Sequence, residues 1–255
     1  MPLVPALPRT IFTVTTGRSG TGWLARLLSC FPEVEALHEP PPRMHKWLRR
    51  VLEDPHAGRC FWEEEKLPAI ARCRQPVYVE TSHLFAKGFF EPLLELGVVP
   101  DLILLRRHPR KVAASLFGLN TIPGRTELGR TYYLCPDDPV LLPLPDWQEL
   151  HDYQICYWYC LETEQRRRRY GEQAKSLGAR VVEVDLEDLT TGTAVRRFGA
   201  ALDLPPPGWL GRWRLHRLLQ SPVNTKQRRK QRTLSETEMA DLEADLLERL
   251  GGAPR

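Results

Sequence analysis

The chain alternates short β-branched or apolar runs with longer stretches of helical period. Ile11–Thr15 has the character of a strand. A turn, Thr16-Gly17-Arg18-Ser19-Gly20, leads into Thr21–Cys30, where Trp23, Leu24, Leu27 and Leu28 recur on one helical face. Val77–Glu80, Leu102–Leu105 and Arg180–Val184 read as further strands, and the purely apolar Leu102–Leu105 is expected at the centre of a sheet. Helices are expected at Met44–Leu52, Phe89–Leu96, Arg110–Phe117, Leu150–Gln173, Ala194–Ala201 and Leu234–Leu250. Ser235 and Glu238 have the spacing of a capping box at the start of the last one. Strands alternating with helices, without internal repeats, predict an α/β fold with three layers and a mainly parallel central sheet. Its first unit is a P-loop-like strand, turn and helix.

Two segments depart from this rhythm. Residues 120–147 are rich in Pro, Gly and Asp and carry no clear period, although they hold Tyr132, Tyr133 and Trp147. Long aperiodic insertions in compact domains are commonly lids or binding loops, so this one is expected to be an acceptor-binding lid. The stretch Leu150–Gln173 carries Tyr153, Tyr157, Trp158 and Tyr159, followed by Arg166–Arg169. It reads as a core-facing helix with a solvated basic end.

Length and composition fit one globular domain spanning 1–255, with 42% hydrophobic and 27% charged residues in 255. No apolar run is long enough to span a bilayer, and Met1–Thr10 lacks a basic region followed by an apolar one. The six cysteines form no CxxC pair, which is expected of reduced core thiols in a cytoplasmic setting and gives no compact metal-ligand set. A net charge of +4 is too small to argue for nucleic acid. The placement of the basic residues matters more than their excess.

The turn Thr16–Thr21 sits where a strand feeds a helix, so its backbone N–H groups and the helix dipole favour an anion. Arg18 adds a guanidinium fork suited to phosphate or sulfate oxygens. A Mg-nucleotide kinase would carry GxxxxGK[ST], whereas this chain reads Gly20-Thr21-Gly22 with no lysine after the glycine. A second basic cluster, Arg106-Arg107-His108-Pro109-Arg110-Lys111, follows the apolar strand, with Ser115 about two turns into the next helix. Ligands of open α/β sheets bind at the carboxyl ends of the strands, so Arg107 and Ser115 can grip one phosphate from two sides.

With these two motifs the chain resembles the sulfotransferases that use 3′-phosphoadenosine-5′-phosphosulfate (PAPS). Gly17-Arg18-Ser19-Gly20-Thr21 is similar to their 5′-phosphosulfate loop, and Arg107 to Ser115 to their R-x-P-R-x-x-x-x-S element for the 3′-phosphate. Val181–Leu189 resembles a later strand ending in E-D-L. Arg18, where cytosolic members usually carry lysine, resembles the tyrosylprotein and many bacterial enzymes. The resemblance implies sulfuryl transfer from PAPS to a hydroxyl of a small-molecule, glycan, lipid or peptide acceptor, without a metal. It implies a cofactor site at Arg18, Ser19, Gly20, Thr21, Gly22, Trp23, Arg107 and Ser115. A late basic segment, Gln220–Lys230, is similar to the pocket-closing loop of the tyrosylprotein type and brings in Lys230. The same segment lacks the interleaved aromatics of a nucleic-acid patch.

The reaction needs positive charge on the leaving oxygen, for which Arg18 is suited, with Ser19 holding Arg18 or the bridging oxygen. It also needs a base. Glu39 stands where the tyrosylprotein-type enzymes carry their catalytic glutamate, in Leu37-His38-Glu39-Pro40, taken as a proline-held loop after the first helix. His38 beside it and His83, in Glu80-Thr81-Ser82-His83, are the rivals. A carboxylate of ordinary pKa is a weak base near neutral pH, so Glu39 would need burial to serve. Two other functions stay open: a nucleotide-dependent kinase on the same fold, and a family member that binds nucleotide or partner without turnover.

Overall fold

The computed structural model describes residues 7–220 and 232–251. Its centre is an all-parallel five-stranded sheet in the order β2-β3-β1-β4-β5. The strands are β1 (Arg9–Val14), β2 (Val34–His38), β3 (Val77–Thr81), β4 (Asp101–Arg106) and β5 (Val181–Asp185). The helices of eight residues or more are α1 (Thr21–Leu28), α2 (Pro109–Gly118), α3 (Asp152–Ser176), α4 (Gly192–Ala201), α5 (Trp209–Leu219) and α6 (Glu236–Gly251).

Successive strand residues point to opposite faces, and this splits the core in two. Phe12, Val14, Leu102 and Leu104 join residues of α2, α3 and α6 in one apolar cluster. Ile11, Val79, Ile103 and Leu105 join residues of α1, α4 and α5 in the other. The result is the expected three-layer α/β arrangement. Every carboxyl strand end, and so every turn that follows a strand, lies along the same edge of the sheet.

Several expectations are corrected. Residues 34–38 are not a loop after the first helix but the edge strand β2, paired in register with β3 from Val34↔Val77 to His38↔Thr81. The alternation of Val34, Ala36 and His38 with Glu35 and Leu37 was too weak to reveal an edge strand that water partly bathes. The basic helix expected from Met44 is a 3₁₀ turn, Met44–Lys46, followed by a short helix, Leu48–Glu53. Two helical stretches, Pro55–Ile70 and α5, were not expected.

The basic end of α3 is not solvated at Arg166 and Arg167, both of which are buried. Arg166 donates to Glu162 (2.6 Å), to the carbonyls of Pro139 and Ala86, and to the Tyr170 hydroxyl. Glu162 in turn accepts from the backbone N–H groups of Leu141 and Leu142. Each nitrogen of the guanidinium and both oxygens of Glu162 find a partner, which offsets the cost of burying the two charges.

The same network orders the segment 120–147. It contains a helix, Glu127–Tyr132, capped by Thr126, and it buries Leu134, Cys135 and Leu144. Arg125 ties its two ends together through Asp152 (2.5 Å) and the carbonyls of Trp147, Gln148 and Leu150. Arg49 holds its middle through Asp138 and the Tyr133 carbonyl, each at 2.8 Å.

Candidate active site

The turn after β1 is tight enough to require special backbone conformations. Arg18 and Gly20 both have positive φ, 65° and 83°. At Gly20 a Cβ would stand 2.5 Å from a Leu186 methyl, and at Gly17 the same distance from the Tyr133 ring, so both positions demand glycine. The Gly17 N–H donates to the Tyr159 hydroxyl (3.0 Å). Ser19, fully buried, bonds Thr16 rather than Arg18. Two buried polar atoms beside this turn, Thr15 Oγ1 and Trp23 Nε1, have no partner among the described residues. Buried polar atoms are rarely left that way, which marks the turn as a place for a polar ligand.

On one flank of β1, β4 delivers the second basic cluster. Arg107 donates to the Arg18 carbonyl, and Arg18 Nε donates to Ser115 Oγ (3.2 Å). Residues far apart in the chain thus meet as the motif spacing predicted. They line a cavity of 520 Å³ together with His108, Lys111 and, from α6, Glu236 and Met239. Partial burial and the neighbouring Arg18 charge hold Arg107 below the ordinary guanidinium value. Two arginines lining one cavity suit an anion there. Arg110, inside the same motif, points to α6 and binds Glu243 (2.6 Å), which also accepts from Tyr153.

The opposite flank carries β3 and β2. Ser82 N and O both bond Thr13 Oγ1, and Thr81 Oγ1 donates to the Thr21 carbonyl, all at 2.9 Å. These bonds lock the ends of β3 and β1 and the start of α1 into one unit. His38 donates through Nδ1 to the Thr81 carbonyl (2.8 Å) and lies on Gly22, whose missing side chain gives it room. The next residue, Glu39, has φ 48°. This reverses the chain at the end of β2 and brings the carboxylate back to Ser82 (3.5 Å) and His83 Nε2 (3.6 Å). Buried Lys66, paired with Glu80 at 2.7 Å, donates to the carbonyls of Pro40 and Pro42 and so fixes the loop that follows Glu39.

His83 is held by a residue the sequence reading missed. The fully buried Lys87 donates to His83 Nδ1 and to the Tyr132 carbonyl, both at 2.6 Å, with Nζ about 5 Å from the Tyr133 and Tyr159 rings, and burial pushes its pKa well below the usual lysine value. Burial, followed by the Lys87 charge, pushes the His83 pKa well below its ordinary value. The imidazole is therefore neutral. Its Nδ1 accepts from Lys87, and Nε2 carries the hydrogen toward Glu39. Tyr133, expected to offer a surface to an acceptor, is instead buried between the Gly17 turn, Tyr159 and His83. A lysine inside the apolar run Leu84-Phe85-Ala86-Lys87-Gly88-Phe89-Phe90 was the available signal, since lysine enters a core only with partners.

Of the expected site residues, Arg18, Arg107 and Ser115 therefore meet on one flank, Glu39 and His83 on the other, and His38 against Gly22 beside the helix start. Lys230 lies outside the described residues. Among the described residues, the metal-type side chains that come together in a group of three are Cys135, Asp137 and Asp138. None of the described helices is long and apolar enough to cross a membrane.

No family model and no curated protein matches the sequence. Among solved structures, the chain is similar to the "Sulfotransferase Domain from the Curacin Biosynthetic Pathway". The match has a TM-score of 0.53 at 16% identity and covers 95% of this chain and 90% of that one. The protein thus has the α/β fold of a sulfotransferase domain, over nearly its whole length.

Proposed function

We propose that the protein is a sulfotransferase that moves a sulfuryl group from PAPS to a hydroxyl of an organic acceptor and releases adenosine 3′,5′-bisphosphate. The observation that carries this reading is the meeting of Arg107, Ser115 and Arg18 at the turn after the central strand. A dianion between the two guanidiniums relieves both their desolvation and their mutual repulsion, and charge-assisted hydrogen bonds of this kind are among the stronger ones. The donor supplies an activated sulfur bonded to a good leaving oxygen. Arg18 and the N–H groups that open α1 stabilise the charge gathered on that oxygen. Glu39 takes the acceptor proton as the new sulfur–oxygen bond forms and the bond to the bisphosphate breaks.

His83 supports Glu39 rather than replacing it, because its Nε2 already bears a hydrogen and its Nδ1 is occupied by Lys87. His38, whose Nδ1 is engaged by the Thr81 carbonyl, is the remaining contender for the base through Nε2. The segment 120–147 acts here as a fixed wall beside the acceptor, through Tyr132 and the His45 ring 5.1 Å from it, rather than as a loose flap.

Thermal unfolding with added nucleotide tests the donor site. Adenosine 3′,5′-bisphosphate is expected to raise Tm well above the shift given by AMP or by ATP with Mg. A ligand at 100 times its Kd adds about 2.7 kcal/mol to stability. Equal shifts with AMP and the bisphosphate would show that Arg107 and Ser115 read no 3′-phosphate. A larger shift with Mg-ATP would favour a kinase.

A further inference from the structure

The outward side of α5 has no part in the site described above. The helix, Trp-Leu-Gly-Arg-Trp-Arg-Leu-His-Arg-Leu-Leu, contains no acidic residue. It is seated by its inner side. Leu215 and Leu218 are buried in the cluster beneath α1, and Gly211 lies so close to Cys30 that a Cβ would stand 2.3 Å from the Cys30 carbonyl oxygen. That fixes which side faces out. Trp209, Leu210 and Trp213 are 77%, 42% and 52% exposed, whereas most large apolar side chains of the molecule are buried. Trp209 and Trp213 are one turn apart, and Arg217 lies over the Trp213 ring at 4.9 Å. Arg212 and His216 border this apolar stripe on one side and Arg214 on the other, with Arg217 between Trp213 and Leu210.

We infer that the outward face of α5 docks the protein on an anionic lipid surface, with Trp209, Leu210 and Trp213 entering the interfacial layer and Arg212 and Arg214 on the lipid phosphates. Tryptophan belongs at that depth because its ring is apolar and its N–H needs a polar neighbour. Arginines flanking apolar side chains on a helix lying in the membrane plane match what such a surface offers. A protein partner fits less well. The stripe is one helix wide, and a stable protein interface covers about 800 Å² on each side. A nucleic acid would meet the charges but gives Leu210 no apolar phase to enter. The inference does not depend on the chemistry proposed for the active site.

Vesicle co-sedimentation tests it, with phosphatidylcholine alone and phosphatidylcholine mixed with phosphatidylserine. Binding is expected to the mixed vesicles and to fall with added salt. Trp209→Ala combined with Trp213→Ala should weaken it about tenfold or more, and Arg212→Gln and Arg214→Gln about fivefold each. All these positions are exposed, so the Tm of each variant should stay at that of the parent, which separates lost docking from lost fold. Tryptophan emission should shift to the blue with the mixed vesicles, and that shift should vanish in the double tryptophan variant. The inference is overturned by no binding to mixed vesicles at low salt, by equal binding to neutral vesicles, or by full binding of the double variant. Tighter binding of an oligonucleotide than of vesicles, or a dimer that the double variant splits, would overturn it in favour of those partners.

Discussion

Glu39, His83 and Lys87 form a chain of three titratable groups, and each has one definable task. Glu39→Gln keeps the shape and removes the basicity, so kcat should fall by roughly 10²–10⁴-fold. Bisphosphate affinity, read by calorimetry, should hardly change. His38→Ala under the same assay discriminates between the neighbours: a greater loss there than in Glu39→Gln would move the base to His38. Lys87→Met tests the tether. Methionine removes the donor and leaves the buried His83 Nδ1 and the Tyr132 carbonyl without it, so Tm should fall. With the Lys87 charge gone, the His83 imidazole should titrate nearer its ordinary value, which NMR of the ring protons can follow. An unmoved His83 titration would mean that burial alone keeps the ring neutral, since burial is the larger cause.

At the scale of elements, the segment 120–147 is bound to the rest by three arginines, so hydrogen exchange should find the amides of Leu141 and Leu142 well protected before any ligand is added. Fast exchange there, slowed by cofactor and acceptor together, would support the mobile lid expected from composition. The contrast shows where sequence is informative. The β1 turn, the Arg107–Ser115 spacing and the Ser235–Glu238 cap were all legible, because each depends on neighbours in the chain. In the structure Ser235 N–H donates to Glu238 (2.8 Å), and the Glu238 N–H donates back to Ser235 (3.2 Å). Arg166 was misread as solvated, because its partners Glu162, Pro139 and Ala86 come from three separate segments and only the first lies within a helical turn. β2 escaped notice for a related reason: an edge strand earns little apolar signal, and its identity rests on pairing with β3. Lys87 declares itself only once the fold has closed around it.

For the molecule as a whole, the buried basic groups set the direction of the pH response. His83 folds neutral, so below about pH 6.5 the unfolded chain binds a proton that the native chain refuses, and stability falls as the pH drops. Glu243, which Arg110 and Tyr153 hold below the usual carboxylate range against the cost of burial, adds to the loss at lower pH as it protonates. Tm measured from neutral to acid pH should therefore decline first through the histidine range, and His83→Asn should flatten that first part while leaving the later fall. A Tm independent of pH above 5 would contradict a neutral His83. The order of the sheet has a further, kinetic consequence. β1 is central, and its partners are strands that begin at Val77 and Asp101, with Ile11 opposite Asp101. Contacts between positions so distant in the chain are slow to form, because the loop between them must close before the pairing is rewarded. The turn after β1 thus precedes its partners in the chain and takes its final shape only once they have paired. Until β4 has emerged and docked, Arg18 has neither Arg107 nor Ser115 beside it, so the cluster on which the proposed nucleotide site rests does not yet exist.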